Sequence, residues 1–155
     1  MAMSLVVGLH LAASEPTLVY LVRHAEKVDS SRDADLSAQG LKRAEALKVF
    51  FEKTSFSAIY ATQYQRTQKT VKPVADSKGL PVVALDAGDP KALVSKIHSS
   101  PGQIILASGH SNTVPQLISL LGGPEIKIPD DAYDYLFLLV LQDGHCVFQQ
   151  FLFKP

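Results

Sequence analysis

Two short segments of this 155-residue chain place a histidine at the point where an apolar run stops. Arg23-His24-Ala25-Glu26 follows the run 18–22, and Gly109-His110-Ser111-Asn112-Thr113 follows the run 104–107. Apolar runs of this length are typical of buried strands. In an open α/β sheet, ligand sites lie outside the carboxyl ends of parallel strands, so two such ends can bring distant residues together. The spacing therefore predicts a histidine-based site.

The chemistry open to these residues is phosphoryl transfer. A neutral imidazole is a good nucleophile towards phosphorus, so His24 attacking a phosphomonoester would give a phosphohistidine that water later hydrolyses. The planar donors of Arg23 can clamp the phosphoryl oxygens, and His110 can donate another hydrogen bond. A predicted helix beginning near Asn112 adds backbone N–H groups at its positive end. Such a site works by positioning and electrostatics, and it requires neither a metal ion nor a cofactor.

Alternating strand-like and helix-like runs must position these residues. Strands are predicted at 17–23, 58–61, 81–85 and 103–108, and helices at 37–51, 65–78, 89–98 and 112–121. The tail differs, because the runs 135–141 and 146–153 are joined by Asp143-Gly144, which is typical of a β-hairpin. We expect this hairpin to add antiparallel strands at a sheet edge. No repeat or linker is visible, so residues 17–155 are predicted to form one α/β domain.

The helix after the first strand is predicted to bury one face. Ser37 is a typical N-cap, and apolar residues follow it at helical spacing: Leu41, Ala44, Leu47 and Phe51. Arg43 lies on the polar side of this pattern, where a solvated charge with a mainly structural role is expected. In the next helix, Pro73 is predicted to kink or interrupt the chain.

Composition excludes several classes of protein. Hydrophobic residues make up 46% of the chain and charged residues 19%, which is typical of a globular domain with a core. The formal net charge is zero and no run of Lys or Arg occurs, so binding to nucleic acid or to an anionic membrane surface is not expected. The single cysteine, Cys146, is predicted to pack as a small hydrophobic residue.

The amino-terminal residues 1–16 are predicted to be an extension or the remnant of a signal peptide. The stretch 5–14 is apolar and ends in small residues, as in a secretory signal, but no basic region precedes it. A signal remnant would imply a periplasmic or secreted protein. A packed extension would leave a cytoplasmic location open. The stretch is too short to span a bilayer.

Four motifs in order resemble those of the histidine phosphatase superfamily, which contains phosphoglycerate mutases, bisphosphatases and small phosphohistidine phosphatases. The motifs are Arg23-His24-Ala25-Glu26-Lys27, Leu36-Ser37 to Gly40 with Arg43-Ala44, Thr62 to Arg66-Thr67 with Thr70, and Gly109-His110-Ser111. Each motif alone is a weak signal. Their specificity lies in the order of all four at the ends of predicted elements, over most of residues 17–114.

The resemblance implies a fold and a set of roles. The fold is a three-layer α/β sandwich with a mixed, mostly parallel central sheet flanked by helices. By the resemblance, His24 is the nucleophile, and Arg23, Arg66 and His110 form the phosphate pocket. Ser111, beside the second histidine, is expected to touch the phosphate or to cap the helix that follows.

The remaining histidines match no motif. His10, His98 and His145 have no metal-ligand spacing, so we interpret them as packing or surface residues, and no metal site is expected. Thr62 stands where relatives of the family often have serine. Its hydroxyl is predicted either to bond the phosphate or a neighbouring loop, or to cap the helix that follows.

The general acid is less clearly marked. Protonating the leaving oxygen needs a carboxylic acid near the pocket, and in many relatives it comes from the segment after the third strand. In that segment Asp86 is the better candidate, because Asp89 precedes Pro90 in N-cap position. Glu26, beside the nucleophile, is the second candidate. Without an acid, the protein would prefer good leaving groups such as phosphohistidine.

The expected substrate is a phosphorylated small molecule or a phosphohistidine protein. The insert that mutases carry between the second arginine and the second histidine is missing, which favours a phosphatase with an open pocket. One alternative is a catalytically weak module that binds phosphate without turnover. Another is a scaffold protein whose apolar C-terminal hairpin pairs with a second chain, although this would not explain the four motifs. The oligomeric state cannot be read from the sequence.

Overall fold

The computed structural model describes residues 14–154, so residues 1–13 of the predicted amino-terminal extension lie outside the described part. Within residues 14–154, four strands alternate with four helices, and two further strands follow. They are β1 (Thr17–Arg23), α1 (Ala38–Phe50), β2 (Ala58–Thr62), α2 (Gln65–Lys78), β3 (Val82–Leu85), α3 (Pro90–His98), β4 (Ile104–Gly109), α4 (Thr113–Leu120), β5 (Tyr135–Gln142) and β6 (His145–Leu152).

All six strands form one mixed sheet in the order β3-β2-β4-β1-β5-β6. The first four strands along the chain pair in parallel, whereas β5 runs antiparallel to β1 and β6 antiparallel to β5. The register sets Arg23 opposite Gly109, so the carboxyl ends of β1 and β4 lie side by side. A hydrogen bond of 2.8 Å from the backbone N–H of His24 to the carbonyl of Gly109 extends this pairing.

Two apolar clusters pack against opposite faces of the sheet. The first joins Val19 and Leu21 of β1 to α3 and α4 through buried residues that include Ile97 and Ile118. The second joins Val22 of β1 to residues of α1 and α2. Alternate side chains of a strand point to opposite faces, so β1 contributes to both clusters. The predicted three-layer sandwich is therefore confirmed. The two predicted histidines follow the adjacent carboxyl ends of β1 and β4.

The first helix begins as predicted, and three of its four predicted core residues are buried: Ala44, Leu47 and Phe51. The hydroxyl of Ser37 accepts a hydrogen bond of 3.1 Å from the N–H of Gly40, which makes it the N-cap. Leu41, expected in the core, is 53% exposed, whereas Arg43, expected in solvent, is only 8% exposed. Arg43 is buried because its guanidinium forms an ion pair of 2.7 Å with Glu26, in the loop after β1.

That loop lies so close to α1 that position 40 has no room for a side chain. A Cβ atom at Gly40 would lie 2.2 Å from the carbonyl oxygen of Glu26. The same carbonyl accepts a hydrogen bond of 2.8 Å from the N–H of Ser37. Gly40 and Arg43 therefore hold the segment that follows His24 against the helix.

We expect Gly40→Ala to lower the free energy of unfolding by about 1–3 kcal/mol, because the new methyl group must displace backbone atoms of the loop. The sign is informative, since glycine to alanine inside a helix otherwise gains about 1 kcal/mol. Denaturant unfolding measures the change. Gln39→Ala, at an exposed position of the same turn, is the control and should change stability by less than about 0.5 kcal/mol. A stabilised Gly40→Ala variant would contradict the close contact.

The second helix has the predicted bounds, and the C-terminal hairpin forms as predicted. Pro73 does not interrupt α2, which is continuous over Gln65–Lys78 and ends at Gly79 with a left-handed φ of 64°. Val71 and Val74 are fully buried on either side of the proline, and this packing outweighs the hydrogen bond that proline cannot make. Asp143 and Gly144 both have positive φ, as a tight β-hairpin turn requires, so the predicted hairpin of β5 and β6 is confirmed.

Candidate active site

The structure brings the two predicted histidines together at the carboxyl ends of β1 and β4. The ring centroids of His24 and His110 are 5.3 Å apart, and the ring planes are inclined by 64°. The exposed fractions of the two residues are 4% and 9%. The parallel register of β1 and β4 accounts for the contact, because His24 and His110 each follow directly on a paired strand end.

The hydrogen bond of His24 fixes which ring nitrogen can act as a nucleophile. Its Nδ1 lies 2.8 Å from the carbonyl oxygen of Ala25. A carbonyl can only accept, so Nδ1 carries the hydrogen and the lone pair of the neutral ring is on Nε2. Burial, together with the charges of Arg23, Arg66 and Lys27, lowers the pKa of His24 to about 4, although the bond to Ala25 opposes this shift. His24 is therefore neutral at pH 7.

His110 stands in a chain of hydrogen bonds. Its Nδ1 is 3.4 Å from Nη2 of Arg66, and its Nε2 is 3.0 Å from the hydroxyl of Thr62. A guanidinium can only donate, so Nδ1 accepts and Nε2–H donates to Thr62. The Thr62 hydroxyl then lies 2.8 Å from that of Thr67, which donates to the carbonyl of Tyr64. Burial and the charge of Arg66 lower the pKa of His110 to about 3.

These contacts bear on two of the predictions. The N-cap of α2 is Tyr64 and not Thr62, so the interpretation of Thr62 as a helix cap is wrong. Thr62 instead orients His110 through Nε2. Both ring nitrogens of His110 have protein partners, so the predicted hydrogen bond from His110 to phosphate would replace one of them. That role stays a prediction.

Arg23 is more buried, and makes more hydrogen bonds within the protein, than the sequence indicated. It is 7% exposed, and its Nη1 donates to the carbonyl oxygens of Pro129, Asp130 and Ala132 at 2.9, 2.9 and 3.1 Å. The central guanidinium carbon lies 4.3 Å from the ring centroid of Tyr133, within the range of a cation–π contact. Arg23 therefore holds residues 129–133, here called the 129–133 loop, against the end of β1.

Arg66, near the start of α2, is placed in a similar way. Its Nη1 donates to the carbonyl of Arg32 at 2.8 Å, and its guanidinium carbon lies 4.6 Å from the ring centroid of Tyr64. The Nε atoms of Arg23 and Arg66 are buried and have no hydrogen-bond partner within residues 14–154. Buried donors are almost always paired. A phosphoryl group in this site would offer acceptors to both arginines, so the residues fit an anion.

An open cleft of about 670 Å³ lies over these groups. It is lined by Arg23, His24, Lys27, Tyr64, Arg66, Ala87, Gly88, His110, Ser111, Asn112, Thr113, Asp130 and Tyr133. Three cationic side chains and one carboxylate give it an excess of positive charge, which suits a phosphate ester. Ser111 lines the cleft, and its hydroxyl donates a hydrogen bond of 3.3 Å to Oδ1 of Asp130. Its contact with phosphate stays a prediction.

Neither of the two candidate acids from the sequence is among the residues that line this cleft. Asp86 is exposed, and its Oδ1 accepts a hydrogen bond of 2.8 Å from the N–H of Gly88. Glu26 is paired with Arg43 through three hydrogen bonds. Burial raises the pKa of Glu26, but the bonds and charge of Arg43 outweigh it and lower the pKa overall, which disfavours a proton donor. The role of Asp86 stays a prediction.

Tyr64 and Tyr133 were missed by the sequence analysis. Each stacks on one of the two arginines, and the ring of Tyr133 lies 6.1 Å from that of His24. Tyr64 directly precedes α2, which was a weak signal, whereas Tyr133 lies in a loop that matches no motif.

Within residues 14–154, no group of three or more His, Cys, Asp or Glu residues has a metal-binding arrangement. The described helices are all too short or too polar to cross a membrane.

Fold and site together define a class: α/β proteins that bring two histidines and two arginines together at the carboxyl ends of the strands of a mixed sheet. The sequence model of the histidine phosphatase superfamily, branch 1, matches residues 19–87, and this match supports membership of that superfamily. This match covers the first three motifs, while His110 lies beyond it. A search of the curated proteins found no match.

Solved structures with low sequence identity share this fold. The protein histidine phosphatase SixA, complexed with tungstate, has a TM-score of 0.69 at 19% identity, over 87% of this chain and 96% of its own. A phosphoglycerate mutase from Bacillus anthracis str. Sterne has a TM-score of 0.73 at 14% identity, covering 89% of this chain and 93% of its own. A candidate alpha-ribazole-5'-phosphate phosphatase from Escherichia coli K-12 has 0.72 at 13%, covering 90% and 96%. Membership supports phosphatase activity in a broad sense.

Proposed function

We propose that this protein is a metal-independent phosphatase that transfers the phosphoryl group of a phosphomonoester or a phosphohistidine to Nε2 of His24. The observation that carries the proposal is the state of His24. Its Nδ1–H is fixed on the Ala25 carbonyl, and its pKa is lowered to about 4. The nucleophilic lone pair is therefore available at neutral pH, beside two arginines.

The pocket would act mainly by electrostatics. In phosphoryl transfer the developing charge is spread over three equatorial oxygens, and donors fixed in advance stabilise it without reorganisation. Arg23 and Arg66 are fixed by carbonyl oxygens and by stacking on Tyr133 and Tyr64. Lys27, which also lines the cleft, would add charge.

The open cleft favours a phosphatase over a mutase. A mutase must keep its phosphorylated intermediate long enough to return the group to a substrate, which requires water to be excluded. Here the cleft of about 670 Å³ leaves His24 and His110 within reach of water. Water would then attack the phosphohistidine, release inorganic phosphate and restore the neutral imidazole.

Hydrolysis of p-nitrophenyl phosphate tests the proposal. We expect turnover that persists in excess EDTA, because the proposed steps use only side chains of the chain itself. Binding of inorganic phosphate is measured in parallel by calorimetry. Phosphate binding without release of nitrophenol would overturn the enzymatic proposal and favour the module that binds phosphate without turnover. Activity that is lost in EDTA and regained with a divalent metal would overturn its metal independence.

A further inference from the structure

Hydrolysis of an alkyl phosphate needs a proton for the leaving oxygen, and we propose that Asp130 supplies it. This inference rests on the phosphatase function proposed above. Within residues 14–154, Asp130 is the one carboxylic acid among the residues that line the cleft. It is exposed to solvent, so it can exchange protons with water between the two steps of the reaction.

Contacts at both ends of the residue place Asp130 beside the reacting groups. Its carboxylate accepts a hydrogen bond of 3.3 Å from Ser111, the residue after His110. Its carbonyl oxygen accepts a hydrogen bond of 2.9 Å from Arg23, the residue before His24. Asp130 is therefore tied to the carboxyl ends of both strands that carry the histidines.

The 129–133 loop is held in place by more than this one residue. Arg23 also bonds the carbonyls of Pro129 and Ala132, and Tyr133 lies against both Arg23 and the ring of His24. A general acid must be positioned by its surroundings, and these contacts hold four of the five residues of the 129–133 loop. Asp86 lacks such contacts with the histidine-bearing strand ends, and its carboxylate is bonded by Gly88.

The proposed steps balance in atoms and charge. The Nε2 lone pair of His24 attacks phosphorus, and the bond from phosphorus to the leaving oxygen breaks. The leaving oxygen takes its electron pair and the proton of Asp130, and departs as an alcohol. In the second step, the Asp130 carboxylate takes a proton from water as the water oxygen attacks phosphorus. The phosphorus–nitrogen bond breaks, and its electron pair returns to Nε2.

The test compares two leaving groups in one variant. Nitrophenolate leaves with little help, whereas the alkoxide of glycerol 2-phosphate needs a proton. We expect Asp130→Asn to lower kcat/KM for glycerol 2-phosphate by about 100-fold or more, and kcat/KM for p-nitrophenyl phosphate by less than about 10-fold. The ratio kcat/KM is used because it reports only the steps up to departure of the leaving group, and not the later hydrolysis that both esters share. The ratio of the two rates comes from one preparation, so it does not depend on the fraction of protein that folds.

Matched variants separate the proposal from its alternatives. Asp131→Asn removes the neighbouring exposed carboxylate, which does not line the cleft, and should leave both rates within about 2-fold, as for a substitution that touches no site residue. Equal losses on both esters in Asp130→Asn, or no loss on either, would overturn the assignment. So would a loss specific to glycerol 2-phosphate in Asp86→Asn. Failure of the phosphatase function itself is seen separately, as no release of nitrophenol by the unaltered protein, and it would remove the role of Asp130 with it.

Discussion

Replacing His24 with alanine is expected to lower kcat for p-nitrophenyl phosphate by on the order of 10⁴-fold or more, the scale seen when an enzyme loses its nucleophile. Among the cleft-lining residues within 14–154, no other imidazole has a free ring nitrogen that could attack phosphorus. His110 has both ring nitrogens bonded, one to Arg66 and one to Thr62. The variant should still fold, since the strand pairing around His24 uses its backbone N–H and not its side chain.

Labelling with a radioactive phosphate ester, stopped with alkaline detergent, measures the intermediate directly. The unaltered protein should carry an acid-labile, base-stable phosphoryl label, as a phosphorus–nitrogen bond predicts, and His24→Ala should carry none. His98→Ala is the control, because His98 is exposed at the end of α3 and does not line the cleft. A label of normal size in His24→Ala would place the nucleophile elsewhere.

Much of the fold could be predicted because its signals are local. The bounds of β1 and α2, the cap at Ser37 and the turn at Asp143-Gly144 agree with the structure. Each depends on residues within one element and its immediate neighbours. The meeting of His24 and His110 was also predictable, because parallel strands bring their carboxyl ends to one edge of the sheet.

What the sequence did not predict depends on distant contacts. Arg43 is buried because it bonds Glu26, which lies 17 residues before it in the chain. The residue pattern of α1 alone does not indicate that partner. Arg23 bonds carbonyls that lie 106 to 109 residues away, in a loop that matches no motif. Backbone carbonyls are the same in every residue, so no side-chain pattern could identify them. The place of Asp130 at the cleft follows from this same anchoring.

Replacing Arg66 with alanine should both slow the reaction and change its pH dependence. Loss of one fixed donor of transition-state charge typically costs about 10²–10³-fold, and we expect a fall of that size in kcat/KM. Burial is the first cause of the low pKa values of His24 and His110, and the charge of Arg66 adds to it in both cases. Without Arg66 both pKa values should rise from about 4 and about 3. As acid is added, kcat/KM, which reports the pKa values of the free protein, should then fall at a higher pH than in the unaltered protein, because protonated His24 has no lone pair for phosphorus.

Arg66→Lys separates charge from geometry. Lysine keeps the positive charge, so the pKa values of His24 and His110, followed by NMR titration of their ring protons, should stay near those of the unaltered protein. It lacks the planar fork, so kcat/KM should remain well below normal. Arg32→Ala is the matched control, since Arg32 contacts Arg66 through its backbone carbonyl and its exposed side chain does not line the cleft. Full activity in Arg66→Lys would mean that charge alone is sufficient at this position. Normal activity in Arg66→Ala would exclude Arg66 from the phosphate pocket, because a fixed donor to the transferring group cannot be removed without cost.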